Sequence, residues 1–568
     1  MHRLHARLAA LSRPATGFVS QPEPRTIGSL ARGRQLVAGN FRFAGFLIEG
    51  PGVAIWDLPV PDPRFAEEMH GFRWLDDLAA VGDATARSRA QDWTQGWIAR
   101  YGRGSGPGWT PDLTGRRLIR WINHAIFLLN GRGKADGEAF FRSLGQQTIF
   151  LSRRWKAAPP GLPRFEALTG LVYAGLSLTG MDGHVGPAVR ALGEACRDEV
   201  DAEGGIPSRN PEELLEVFTL LTWAAAALAE AGRRAEADHL AAIDRIAPTL
   251  RALRHADGSL ARFHGGGRGL EGRLDQALAA VPGRALTARG LAMGYARLAA
   301  GRTTVIVDAA APPSGAASLN AHASTLAIEV TSGRRPLVVN CGSGLPFGGE
   351  WHRAGRATVS HSTLAISGYS SSRLGPESIF AGRRRQLLEE VPDQVWAQHD
   401  GDFDGERLLV GHNGYAATHG MTHVRQLTLS VDGRTLSGED TLGAMTAGDR
   451  RRFEAVVARD RIGGIRFEVH FHLHPDVDAA LDLGGTAVSL ALKSGEMWVF
   501  RHDGVADLNL RPSVYFDSAR LKPRPTQQIV LSAAVVDYAC QIAWTFAKPQ
   551  DTPHGIRDTQ RDDETAEP

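Results

Sequence analysis

The chain has 568 residues, 43% apolar and 22% charged, the proportions of a globular protein too long for one ordinary core. Its 64 basic and 62 acidic residues leave a net charge of +2, which argues against the concentrated basic face of a dedicated nucleic-acid binder. Cys196, Cys341 and Cys540 stand far apart with no Cys-x-x-Cys spacing, so neither a zinc ribbon nor a disulfide framework is supported. The N-terminus, Met1 to Leu11, is basic, and Arg7 and Arg13 break its apolar run too early for a secretory signal. No stretch approaches the roughly 18 apolar residues of a membrane span.

Residues 1–65 read as an irregular lead-in punctuated by seven prolines from Pro14 to Pro63, with short strand-like pieces near Phe41–Phe43 and Val53–Trp56. From 66 to 300 the apolar period becomes helical. Phe72, Leu75 and Leu78, then Trp93 and Trp97, then Leu118, Trp121 and Ile122 recur at three- and four-residue steps. Further helices are expected near 139–152, 165–179, 187–200, 212–231, 235–254, 272–280 and 286–299, joined as antiparallel hairpins. Asn210-Pro211-Glu212-Glu213 is the clearest helix start: a capping Asn, a Pro suited to the first turn, and two carboxylates at the positive end of the dipole. Near 301 the pattern turns to alternation, as in Leu326/Ile328/Val330 and Phe467/Val469/Phe471/Leu473, and an antiparallel β half is expected over 301–548. Residues 549–568 are polar without apolar period and are expected to be a disordered tail. A helical half followed by a β half implies two domains with a ligand groove at their junction.

The stretch from Ala321 to Ile366 carries most of the chemical signal. His322-Ala323-Ser324 leads into Leu326-Ala327-Ile328-Glu329. Val338-Val339-Asn340-Cys341-Gly342 forms a turn, and Arg356-Ala357-Thr358-Val359-Ser360-His361-Ser362-Thr363 follows. With the order of the two halves, these motifs resemble the bacterial heparinase II/III-like family of polysaccharide lyases. The resemblance implies an incomplete (α/α) toroid followed by an antiparallel β-sandwich domain. It also implies β-elimination on a uronate-containing acidic polysaccharide. That chemistry needs a group to neutralise the sugar carboxylate, a base for the adjacent proton and an acid for the departing oxygen.

Carried onto this chain, the resemblance makes Asn210, His264, His322 and Tyr173 the catalytic candidates. Arg209, Trp351, Arg353 and Arg356 are the candidates for substrate contact. His322, Asn340, Cys341 and His361 are the candidates for a structural zinc. Two departures stand out. The turn has Asn340-Cys341 where the family has Asp-Pro, and no Tyr occurs in Ala256–His264, where the family's catalytic Tyr would fall. His264 is then the alternative base. Some members use a His two residues before His322, and Asn320 stands there. His470, His472 and His474 alternate onto one strand face, at about 7 Å spacing too far apart for one ion. The family tends to be exported to the bacterial cell envelope, whereas this N-terminus leaves a cytoplasmic location open. Two other readings stand beside the lyase. One is a toroid glycoside hydrolase using carboxylates such as Glu203, Glu212, Asp257 and Asp275. The other is a non-catalytic glycan-binding or envelope-assembly protein on a lyase scaffold.

Overall fold

The computed structural model describes residues 1–550 except 271, 282–289, 381–382, 403–404 and 460–463, together with 552 and 558. The expected tail therefore lies almost wholly outside the described residues, as does the start of the helix expected over 286–299. The rest of that expected helix is corrected: Tyr295–Ala300 is a strand. Ala296 and Leu298 are buried in the β core, whereas Arg297 turns to the toroid, bonding the Ala252 and Arg254 carbonyls, and Ala299 is exposed. Alternation of period two prevails there over the helical propensity of the alanines.

Helices follow one another from Pro63–Gly71 to Arg273–Ala279. Leu162–Ser177 is buried at every position from Phe165 onward. It crosses Pro111–Asn123 where Gly115 faces Gly170. A Cβ on Gly170 would stand 2.5 Å from the Gly115 Cα, so this crossing requires glycine on both helices. Its buried Glu166 is matched by the Arg116 Nε at 2.5 Å. The cap read from Asn210 is present. Its Oδ1 accepts from the Glu212 and Glu213 N–H groups at the start of Pro211–Glu230. The first 65 residues are not irregular throughout. They hold helices His2–Ala9 and Leu30–Ala38 and a hairpin of Asn40–Phe43 with Phe46–Glu49. Leu36, Phe41, Ile55 and Trp56 enter the helical core, which explains the order in a proline-rich segment.

The β half contains two eight-stranded antiparallel sheets. In space the first runs Val395–Asp402, Gly405–Tyr415, Met421–Ser430, Thr435–Gly443, Ala539–Ala547, Met497–His502, Ala487–Ala491 and Asp478–Asp482. The second runs Asp507–Tyr515, Arg524–Val535, Ile465–Leu473, Arg335–Val339, Ile328–Ser332, Thr303–Asp308 and Tyr295–Ala300, with Leu364–Ile366 also paired to Ile465–Leu473. Their facing side chains, among them Leu427, Leu429, Val469, Phe471, Trp544 and Phe546, form a core separate from the helical one. The chain is thus an incomplete (α/α) toroid followed by an antiparallel β-sandwich.

One polar network is sealed inside the sandwich. The fully buried Arg425 donates from Nε and Nη2 to both oxygens of Asp440, at 2.8 and 3.0 Å. Its Nη1 reaches the Leu326 and Ser362 carbonyls at 2.8 and 2.9 Å, on the side of the second sheet. His423 Nε2 and Trp544 Nε1 complete the donors to Asp440. Removing the guanidinium strands a buried carboxylate. We expect Arg425→Met to lower the unfolding free energy by about 3–5 kcal/mol, read from urea denaturation. A loss below about 1 kcal/mol would show that the network does not tie the sheets together.

Candidate functional site at the domain junction

Arg209, Asn210, His264, His322 and His361 converge where the toroid meets the second sheet. Arg209, with φ of +49°, precedes the capped helix and turns its side chain toward the sheet. Every N–H of its guanidinium is used. Nε donates to the Met293 carbonyl at 3.0 Å. Nη1 donates to Ala310 and Ala311 at 3.2 and 2.8 Å, and Nη2 to Gly294 at 2.9 Å and to Asp308 Oδ1 at 2.6 Å. The guanidinium also lies 4.7 Å from the Tyr295 ring centre, and the Tyr295 hydroxyl donates to the Arg209 carbonyl at 2.5 Å. Asp308 ends its strand, and its other oxygen accepts from Ser324 Oγ at 2.7 Å and faces His264 Nε2 at 3.3 Å. Burial opposes charge on Asp308. The Arg209 guanidinium, with His264 and Ser324, overrides it and holds the carboxyl well below the usual carboxylate range.

His264 occupies the left-handed region at φ +47°. Its Nδ1 accepts from the His322 backbone N–H at 3.2 Å, which places the ring proton on Nε2, toward Asp308. The glycines after it let the loop close on the cap: a Cβ on Gly266 would stand 2.6 Å from Asn210 Oδ1. The Gly267 N–H is taken by Glu212 Oε2 at 2.7 Å. The loop is thus a seat for the helix start.

His322 and His361 stand beside this group with ring centres 5.1 Å apart. None of their four ring nitrogens makes a well-formed hydrogen bond among the described residues. Both rings are held neutral. Burial, then the neighbouring His361 and His264, pushes His322 well below the usual histidine value. Burial, then His472 and His264, brings His361 down to about 3.

The four-residue metal cluster expected from the sequence does not assemble. Asn340 Oδ1 accepts from the Ser362 N–H, and its Nδ2 points to Glu329 Oε1 at 3.4 Å. Cys341 Sγ faces His472 Nδ1 at 3.6 Å and Ser513 Oγ at 3.9 Å, and burial pushes its thiol up to about 11. Two neutral imidazoles remain as donors. Among the described residues no group of three or more His, Cys, Asp or Glu is arranged to hold a metal ion. The residues therefore do not fit a structural zinc of the expected kind.

Two other expectations change. Arg209 is placed at the junction with no donor left to offer a substrate, and Arg356 is buried with each of its three nitrogens bonded once. Arg356 spends Nε, Nη1 and Nη2 on the Ala321, Gln386 and Ser318 carbonyls, at 2.7, 2.8 and 2.8 Å. Tyr173 lies in the sealed toroid core, and burial raises its hydroxyl pKa further; a residue inside Leu162–Ser177 cannot face the sheet. Trp351 and Arg353 are on the surface, Trp351 edge-on to Phe516 and Arg353 3.9 Å from Glu377. His472 is satisfied by Ser513 and the Val359 carbonyl, and His470 meets Gln528 through Nδ1, with its Nε2 3.6 Å from Glu468. The histidine strand is thus a bonded polar face.

Sequence reasoning passed over the residues that organise the site. Asp308 was hidden at the end of the apolar run Val305-Ile306-Val307. Its one signal is a charge at the inward phase of an otherwise apolar strand. Glu329 accepts from His255 Nε2 at 3.0 Å and the Arg262 N–H at 3.1 Å, a second tie between toroid and sheet. The depressed carboxyl of Asp308 sets a pH dependence. Stability it contributes is present above the unfolded value of about 3.9 and is lost as pH falls toward the folded value. Asp308→Asn should cost about 3–5 kcal/mol at pH 7 and flatten the fall in melting temperature below about pH 4. An unchanged acid limb in that variant would remove Asp308 from the account.

Residues 282–545 match the family model described as heparinase II/III-like, C-terminal. Over 557 residues the chain is 31% identical to FtsZ-localized protein C of Caulobacter vibrioides, covering 96% of this chain and 92% of that protein. Heparinase III superposes with a TM-score of 0.65 at 12% identity, over 96% of this chain and 89% of that one. A mutant of heparan sulfate lyase HepC from Pedobacter heparinus does so with a TM-score of 0.57 at 14% identity, over 96% and 87%. The two solved structures carry the fold, and the family model and the full-length relative carry the ancestry: the chain belongs to the heparinase II/III-like family.

Proposed function

We propose that this protein uses a polysaccharide-lyase scaffold as a non-catalytic envelope-assembly factor that localises with the division protein FtsZ. The observation that carries this reading is the closure of the junction. His264, His322 and His361 are at most 1% exposed, and Arg356 and Arg209 are 3% and 8% exposed. β-Elimination requires a cation free to neutralise the sugar carboxylate, and a base and an acid that reach the ring from solvent. Here Arg209 is saturated by carbonyls and Asp308, Arg356 is buried and bonded to three carbonyls, and His264 is held between Asp308 and the His322 backbone. The full-length relative, named for its localisation to FtsZ, supports the same direction. An acidic glycan remains the ligand class that the scaffold suggests, held at the surface around Trp351 and Arg353.

A second reading rests on the unbonded nitrogens of His322 and His361. Opening of the junction would present two neutral imidazoles, one as base and one as acid, to a uronate polymer. The hydrolase reading gains no such support: Asp257 is bonded to Ser259 and Arg268, Asp275 to Arg254, and Glu212 to the glycine loop.

The two readings separate in one pair of measurements. Purified protein incubated with a panel of uronate polysaccharides should yield no ultraviolet-absorbing unsaturated ends, and a fluorescent fusion at the native locus should leave midcell when FtsZ is depleted. Unsaturated product from the native protein that disappears in His322→Ala would establish the lyase instead.

A further inference from the structure

Two turns of the second sheet end beside the toroid, and both carry arginine. Gly301-Arg302 joins Tyr295–Ala300 to Thr303–Asp308, and Gly333-Arg334 joins Ile328–Ser332 to Arg335–Val339. The Arg302 guanidinium lies across Gly333, where a Cβ would stand 2.3 Å from its Nη2. Between these turns and Ala256 of the toroid is a cleft of about 540 Å³, a size that holds small ligands. Among the described residues its lining contains three cations, Arg297, Arg302 and Arg334, and one acid, Asp558.

Asp558 shows what the cleft accepts. It belongs to the C-terminal segment, which leaves the strand Ala539–Ala547 and gives the Pro549 and Thr552 carbonyls to Arg434 at 2.6 and 2.9 Å. At Arg335 the Asp558 carboxylate is gripped on both oxygens: Nε donates to Oδ2 at 2.7 Å and Nη2 to Oδ1 at 2.8 Å. The two side chains are only 5% and 6% exposed. This is the paired, parallel geometry by which arginine recognises a carboxylate. Arg297 is spent on the Ala252 and Arg254 carbonyls, and Arg302 stands 3.8 Å from Glu496. Arg334 is exposed and enters no ion pair among the described residues. A chain bearing several carboxylates would meet the forks of Arg302 and Arg334 on entering the cleft.

We infer that this cleft is a binding site for an acidic peptide segment, for which the chain's own Asp558 competes. The ligand class follows from the occupant, a carboxylate presented by a peptide. That peptide, residues 549–568, has six acidic residues against Arg557 and Arg561. Thr303 and Asp308 are opposite ends of one strand, so the cleft stands about 17 Å from the Arg209–Asp308 pair. The site is independent of any chemistry at the junction.

The test is fluorescence anisotropy of a labelled hexaglutamate peptide titrated with the full-length chain, at low and physiological salt. Binding should weaken with salt. Asp558→Asn removes the competing carboxylate and should tighten binding by at least about fivefold. Arg334→Glu should weaken it by at least about fivefold, both in the native chain and beside Asp558→Asn. Because Arg334 is exposed, that variant should keep the native melting temperature. No binding of the peptide to either the native chain or Asp558→Asn overturns the inference. So does Asp558→Asn binding no tighter than the native chain, or Arg334→Glu binding as well as it. A hexagalacturonate that binds as tightly as hexaglutamate, and is lost equally in Arg334→Glu, overturns the peptide assignment and makes the cleft a glycan site.

Discussion

Arg209 reaches across from the toroid to Asp308 on the second sheet, and the rest of the junction is arranged around that buried pair. Taking both ions out of water costs more than their attraction alone returns unless every remaining donor and acceptor is matched. The matching is what the neighbourhood supplies. Four carbonyls take the other guanidinium protons, Ser324 and His264 take the second carboxylate oxygen, and the Tyr295 ring covers the cation. The left-handed backbone at Arg209 and His264 follows from the same demand, because each side chain must turn back from a helix end toward the sheet. Such conformations persist where the surroundings over-determine them.

The same completeness bears on chemistry. A catalytic arginine must exchange partners when substrate arrives, and a catalytic histidine must change its charge. Arg209 would have to abandon carbonyls or Asp308 in a buried region, and Arg356 is held by three carbonyls of its own. His264, His322 and His361 are held neutral by burial. A scaffold whose relatives in fold are lyases has, in this chain, the buried Arg209–Asp308 pair committed to holding two domains in one arrangement.

Much of the architecture was legible in the sequence because it rests on period and punctuation. Asn210-Pro211 announced a helix that begins where expected, and the change from helical steps to alternation marked the sandwich. The misreadings have physical causes. Residues 295–300 are rich in alanine and look helical until the pairing with Thr303–Asp308 is known. The lead-in seemed irregular because its prolines were visible and its docking partners were not. At the site, the histidines were found by motif, but motif says nothing about which way a side chain turns. Cys341 follows Asn340 directly, yet the two face Ser513 and Glu329 respectively. Tyr173 was named for its residue type, and only the packing of Leu162–Ser177 reveals that it is enclosed.

The position of Ala539–Ala547 in the first sheet has a consequence for biosynthesis. This strand lies between Thr435–Gly443 and Met497–His502, so during translation the sheet exists as two unjoined halves. Each exposes a hydrogen-bonding edge until residue 547 has left the ribosome. The toroid, made of earlier and more local contacts, can settle first. The sandwich is closed by insertion of a late strand into a waiting slot, a step at which unpaired edges are open to wrong partners. Truncation before residue 539 would therefore leave a divided sheet, and chaperone demand should concentrate in that interval of synthesis.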